Sequence, residues 1–192
     1  MPDPTSLETP GALARLRRET RSTHEALDRA LPDGLRNLPD YVRYLHGMLA
    51  LAQWLADAWR PAWPQRLGAW LDDQRGARLR ADLLGLGQAP CPPRVAAAAT
   101  PAEWLGGCYV MEGSALGARL LVRDLDHLAR ERPGVADARR FLDHHAADPA
   151  RWPRLRGELD RLPAADVADT VRGAQRGFAL VHSQFAAMEA CA

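Results

Sequence analysis

Leu13, Leu16, Thr20, His24, Leu27 and Leu31 recur every three or four residues, which predicts a first helix over about 11–31, stopped by Pro32-Asp33-Gly34. A second apolar stripe starts at Pro39-Asp40, runs through Tyr41, Tyr44, Leu45, Met48, Leu51, Leu55 and Trp59, and ends at Pro61 and Pro64. Leu67, Trp70, Leu71, Leu79 and Leu83 predict a third helix over 65–84, with Gly85 and Gly87 as stop signals, and 88–99 reads as a loop. Thr100-Pro101-Ala102-Glu103 has the order of a capping box with proline at the first helical position, opening a long helix to about 130 that Pro133-Gly134 stops. Shorter helices are expected over 135–146 and 149–162, and a last one over 165–189 with Val167, Val171, Ala174, Phe178, Val181 and Phe185 on one side.

Composition strengthens this picture. Isoleucine is absent and alanine, leucine and arginine abound, so good helix formers dominate and strand formers are scarce. The fold class expected is all-α. The chain has 192 residues, 47% of them hydrophobic, enough for one domain that buries roughly 70% of its unfolded surface. The expected organisation is a flexible N-terminal segment, 1–10, and one helical domain, 11–190. With 25 basic against 24 acidic residues the net charge is +1, which gives no footprint for nucleic acid or an anionic membrane. No apolar run reaches the ~18 residues that span a bilayer, and the first residues lack the order of a signal peptide, so a soluble, cytoplasmic protein is expected. Cys91, Cys108 and Cys191 are odd in number and lack C-x-x-C spacing, as expected in a reducing compartment.

Candidate chemistry centres on two helices. His24 sits on the apolar stripe of the first, on the same face as Leu13, Thr20, Leu27 and Leu31, so it should point into the core. There an imidazole needs partners: a backbone carbonyl serves that need, and so does a metal. The long fourth helix carries Gly106, Gly107, Gly113 and Gly117, each about 1 kcal/mol less favourable than alanine. Gly106, Gly113 and Gly117 fall near one face, which suits either a close helix crossing or the approach of a flat ligand to the backbone. His144 and His145 are adjacent, point about 100° apart and read as surface or partly buried. His46, His127 and His182 show no metal-like spacing, and no phosphate loop, nucleophile elbow or H-E-x-x-H is present. Cys91-Pro92 is too short a motif to carry a haem-regulatory reading. Trp54, Trp59, Trp63 and Trp70 read as core residues with their polar tips at the surface.

Three segments together resemble the bacterial branch of the biliverdin-producing haem oxygenases: LRRETRSTHEALD (16–28), LRADLLGLG (79–87) and YVMEGSALGARLL (109–121). PDYVRYLHGMLAL (39–51) and the last helix through Phe178 and Phe185 are more loosely similar. The resemblance implies a single-domain haem oxygenase-like helical bundle. It makes His24 the axial ligand of the haem iron, and Gly113 and Gly117 the distal glycines over which haem and dioxygen sit. It places Arg17 and Tyr109 at a haem propionate, and Asp28 and His46 as candidates for an ordered water network that delivers protons. Ser114 follows the first distal glycine, where animal enzymes carry an acid, so protons would arrive through water. Phe141-Leu142-Asp143-His144-His145 departs from the aromatic-rich stretch usual in the family.

The activity so implied is cleavage of haem, both substrate and cofactor, with O2 to biliverdin, carbon monoxide and ferrous iron. Electrons would come from an external reductase or ferredoxin, since no flavin or nicotinamide motif is visible. A redox partner protein is thus implied, and a biliverdin acceptor such as a photoreceptor is a further candidate partner. The alternatives are a non-catalytic haem carrier, or another enzyme on the same scaffold, such as one resembling the thiaminase-like or quinone-cofactor-synthesising branches.

Overall fold

The computed structural model describes residues 11–90 and 99–189, so the N-terminal segment, Cys91-Pro92 and Cys191 lie outside the described residues. The elements in order are α1 (Ala12–Ala30), α2 (Leu38–Ala58), a 3-10 turn (Gln65–Trp70), α3 (Arg75–Gly85), α4 (Pro101–Glu131), α5 (Gly134–Asp137), α6 (Arg140–Ala147), α7 (Arg151–Asp160), a second 3-10 turn (Ala164–Asp166) and α8 (Val167–Glu189). The described residues contain no strand. As expected, the fold is all-α.

Helix α2 runs through the middle of the bundle, with both polar-looking and apolar positions from Tyr41 to Ala58 buried against α3, α4 and α8. Helix α4 starts where the capping box was read: Thr100 Oγ1 accepts from the Glu103 backbone N–H at 3.1 Å, and the Glu103 carboxylate accepts from Thr100 N–H at 2.9 Å. The α4–α8 crossing is close. A Cβ on Gly106 would overlap the Thr170 carbonyl oxygen, and one on Gly173 would overlap that of Glu103, so these two glycines let the helices meet backbone to backbone. Gly107 lies against Trp54 in the same way. Gly106 and Gly107 therefore answer to helix packing, the alternative left open by the sequence.

Two expected helices are broken, and in each case polar groups hold the break. The stretch 65–84 divides because Asp72 accepts from Gln74 N–H at 3.1 Å and pairs with Arg78 at 3.0 Å, a local turn that competes with helix. Helix α3 ends at Gly85, and the chain turns away at Gly87, with φ +72°, where Gln88 N–H bonds to Leu83 O and Gly87 N–H to Leu84 O. The stretch 135–146 divides between α5 and α6. There the buried Asp82 carboxylate accepts from the Arg140 and Phe141 N–H groups at 3.0 and 2.8 Å, and the Ala138 carbonyl accepts from Tyr41 OH at 2.6 Å. The backbone groups freed by the break thus find partners on α2 and α3.

The tryptophans are core residues, but their polar ends are not all at the surface. Trp104 donates to Leu55 O at 2.8 Å, whereas the indole N–H groups of Trp54 and Trp70 are buried with no partner among the described residues. Cys108 is a free, buried thiol on α4, and burial, with Glu112 nearby, pushes its pKa well up.

Candidate haem-binding cleft

Helices α1 and α4 both pack on α8 but scarcely on each other, and the gap between them is a cleft of about 940 Å³. That is the size of a small-molecule or cofactor site, about 300–1,000 Å³. Its floor is apolar, with Phe178, Val181 and Phe185 from α8 and Met48 from α2. His24, Arg17 and Asp28 line it from α1; Tyr109, Gly113, Ser114 and Gly117 line it from α4. Seven of the eight site residues expected from the sequence therefore border one space, all but His46, although 89 positions separate Asp28 from Gly117.

The expectation that His24 points into the core is corrected. Its side chain is 62% exposed, because the stripe formed by Leu13, Leu16 and Thr20 is buried while α1 beyond Thr20 leaves the packed core and borders the cleft. His24 Nδ1 lies 3.0 Å from Asp28 Oδ2, one helical turn on, and the ring meets Phe178 edge-on at 5.9 Å. A carboxylate accepts only, so Nδ1 donates to it, and in the neutral ring that leaves the lone pair on Nε2. Asp28 thus has its carboxylate on His24, on the α1 side of the cleft, away from the α4 wall where a water network was expected. His46 is buried on α2 and is not part of the cleft wall; burial lowers its pKa.

The glycines of α4 divide by use. A Cβ on Gly113 would only touch the Trp152 ring at 3.4 Å, and one on Gly117 would meet nothing within 4 Å. This stretch of α4 therefore presents backbone to open space. Leu116 and Leu120 beside it are 60% and 63% exposed, an apolar lip.

Several residues of the site escaped the sequence reading. Trp152 of α7 closes one side, its ring 5.7 Å from that of Tyr109. Tyr44 lines the inner wall, its hydroxyl buried with no partner among the described residues and its pKa raised by burial. Behind α4, Glu112 is 1% exposed and accepts from Arg75 at 2.9 Å and from Arg151 at 2.7 and 2.8 Å. Burial alone would raise the Glu112 pKa, but the Arg151 hydrogen bonds and both guanidinium charges outweigh it and hold the carboxyl below its ordinary value. His145, expected at the surface or partly buried, is buried: it stacks on Phe141 at 5.0 Å, and its Nε2 is 2.9 Å from Ser114 Oγ. Burial, reinforced by the Arg75 charge, lowers its pKa to about 4. His144 points out, 3.7 Å from Asp72. An acid flanked by Met111 and Gly113 in an apolar stretch was the one signal for this buried cluster.

The donor set suits a metal that brings most of its own ligands. No group of three or more His, Cys, Asp or Glu among the described residues could hold a bare ion. A single histidine, an apolar floor, a side-chain-free helix stretch and basic Arg17 at the rim instead fit a flat, iron-bearing macrocycle with acidic substituents.

No family model matches the sequence. A curated heme oxygenase of Xanthomonas campestris pv. campestris (strain 8004) is 35% identical over 171 residues, covering 82% of this chain and 96% of that protein. The fold is similar to that of the heme oxygenase of Neisseria meningitidis, solved in NO- and CO-bound forms, with a TM-score of 0.66, 19% identity, and coverage of 94% of this chain and 92% of that one. The similarity to the Xanthomonas protein runs through nearly its whole length, and the chain belongs to the haem oxygenase family.

Proposed function

We propose that this protein binds haem in the cleft between α1 and α4 and degrades it, with O2 and electrons from an external donor, to biliverdin, carbon monoxide and ferrous iron. The observation that carries this reading is the pairing, in one apolar cleft, of His24 with the bare backbone of α4 at Gly113 and Gly117. Haem supplies the iron that binds and activates dioxygen and the ring that is oxidised. The chain's residues would hold and orient that group.

His24 would offer Nε2 to the iron while Asp28 holds the hydrogen on Nδ1, which would fix the tautomer and the ring plane. In this reading Asp28 orients the ligand histidine and does not move protons. Gly113 and Gly117 keep the α4 side of the cleft free of side chains, which would leave room there for dioxygen. Leu116, Leu120 and Phe178 make that region of the cleft apolar. Arg17 and Tyr109, both on the cleft wall, would hold a propionate, which suits the paired donors of a guanidinium. Ser114, on the α4 wall, faces the cleft, where it would contact the water that brings protons. No described helix is long and apolar enough to cross a membrane; the electron donor we propose is a separate reductase or ferredoxin meeting the open side of the cleft, and a photoreceptor is a candidate acceptor of the biliverdin.

The test is a haem titration in air followed by reductant. A one-to-one complex whose absorbance is replaced by that of biliverdin, with carbon monoxide released, supports the reading. A stable complex that reductant does not consume would replace it with a haem carrier, and no binding would point to another enzyme of this fold.

A further inference from the structure

Ser114 is the one polar residue between Gly113 and Gly117. Its Oγ stands 2.8 Å from the Met111 carbonyl oxygen and 2.9 Å from Nε2 of His145, which reaches it from α6. A hydroxyl has one hydrogen and two lone pairs. The Met111 oxygen only accepts, so that contact is favourable only if Ser114 donates to it, as serines inside helices commonly do to a preceding carbonyl. With its hydrogen committed there, Ser114 meets Nε2 as an acceptor, and Nε2 must carry the imidazole hydrogen. One lone pair remains, and Ser114 lines the cleft.

Resting on the haem reading of the cleft, we propose that His145 is a positioning residue for the reaction. It holds the Ser114 hydroxyl from behind α4 so that this hydroxyl faces the cleft as an acceptor and seats a water with one hydrogen on Ser114 and the other free in the cleft. Ser114 then hands over no proton of its own; it aims the water that does. The setting of His145 keeps it in that part. The ring is clamped flat on Phe141, with an interplanar angle of 18°. The charged and titratable groups acting on it are Arg75, Glu112, Arg151 and His144, and the first three are already tied to one another, so the imidazole stays neutral and its one hydrogen stays on Nε2.

The experiment is a double-mutant cycle with Ser114→Ala and His145→Phe, read as the rate of biliverdin formation at saturating haem, with haem affinity and thermal midpoint measured alongside. Each single variant should slow the reaction about tenfold, the effect of one lost orienting hydrogen bond. Haem affinity should stay within about threefold of wild type. Because His145 acts through Ser114, the double variant should also be slowed about tenfold, not about a hundredfold. His145→Gln, whose amide can donate in place of Nε2, should recover most of the rate. In the ligand-free protein the imidazole 15N shifts should show hydrogen on Nε2, and Ser114→Ala should move them. Additive losses in the cycle, wild-type rates in His145→Phe, or a bare Nε2 would overturn the proposal. If the phenyl ring is not tolerated, Ser114→Ala and the nitrogen shifts decide it. Failure of the wild type to bind or consume haem would refute the reading of the cleft, and the nitrogen shifts would still decide the hydrogen-bond geometry.

Discussion

Replacing Gly117 with alanine should make the ligand-free protein more stable and the enzyme worse. Gly117 sits inside α4, exposed to the cleft, and a Cβ there meets no atom within 4 Å. In an exposed helix interior glycine is about 1 kcal/mol less favourable than alanine, and nothing around Gly117 offsets that gain. For a chain of this length, 1 kcal/mol corresponds to a rise in thermal midpoint of about 2–4 °C. Gly106→Ala is the control on the same helix. Its Cβ would overlap the Thr170 carbonyl oxygen and crowd the Ala174 nitrogen, both backbone atoms of α8, so α4 and α8 must separate. Overpacking of that kind costs about 1–3 kcal/mol and outweighs the same propensity gain. Thermal melts of the two ligand-free variants, followed by circular dichroism, should therefore move in opposite directions. Gly117→Leu should keep the helical signal and suppress biliverdin formation, because its side chain occupies the space kept for dioxygen. A Gly117→Ala protein no more stable than wild type, or wild-type turnover in Gly117→Leu, would show that this glycine serves packing after all.

Other outcomes follow from the same structure. Arg17→Asn combined with Tyr109→Phe should loosen the in-plane seating of haem: the wild type should give mainly the alpha isomer of biliverdin and the double variant a mixture, as read by chromatography, whereas a wild-type product that is mostly beta or delta would contradict the assignment. Glu112→Gln leaves Arg75 and Arg151 without the buried carboxylate they share, and should lower stability to urea by about 3–5 kcal/mol. Stability should also fall in acid in two stages. Folded His145 resists protonation until about pH 4 while the unfolded chain takes up that proton near 6.5, so its contribution is complete above 6.5 and is lost, by up to about 1.4 kcal/mol per pH unit, as pH falls from 6.5 toward 4. Glu112, whose folded pKa is depressed below the ordinary 4.5, adds stability that is complete above that value and lost only below it. Urea titrations from pH 7.5 to 3 check this, and His145→Gln should reduce the upper stage, to which buried His46 also contributes, and leave the lower one unchanged.

Residues that repeat along one helix were legible in the sequence, and so was the cleft they build. His24 and Gly117 could be picked out because a polar ring on an apolar stripe and a glycine in a helix each violate a local rule. What the stripe could not show is where α1 stops being covered: periodicity gives the direction of a side chain, not whether α8 reaches far enough to bury it, so His24 was assigned to the core and lies in the open. The breaks at Asp72 and Ala138 were missed for a similar reason, since they are held by Arg78, Asp82 and Tyr41, and two of those three come from other elements. Glu112, His145 and Trp152 meet only in the folded chain. Their partners across the fold are 31 to 43 positions away, beyond the reach of any helical repeat.

The central claim, that His24 is the iron ligand facing the bare stretch of α4, is tested most directly by the absorption spectra of one-to-one ferric haem complexes of the wild type and His24→Ala, with and without added imidazole. Loss of the histidine-ligated spectrum in the variant and its partial return, with turnover, on adding imidazole is the result expected. A His24→Ala complex whose ferric spectrum is the same as that of the wild type would mean that the ligand lies elsewhere.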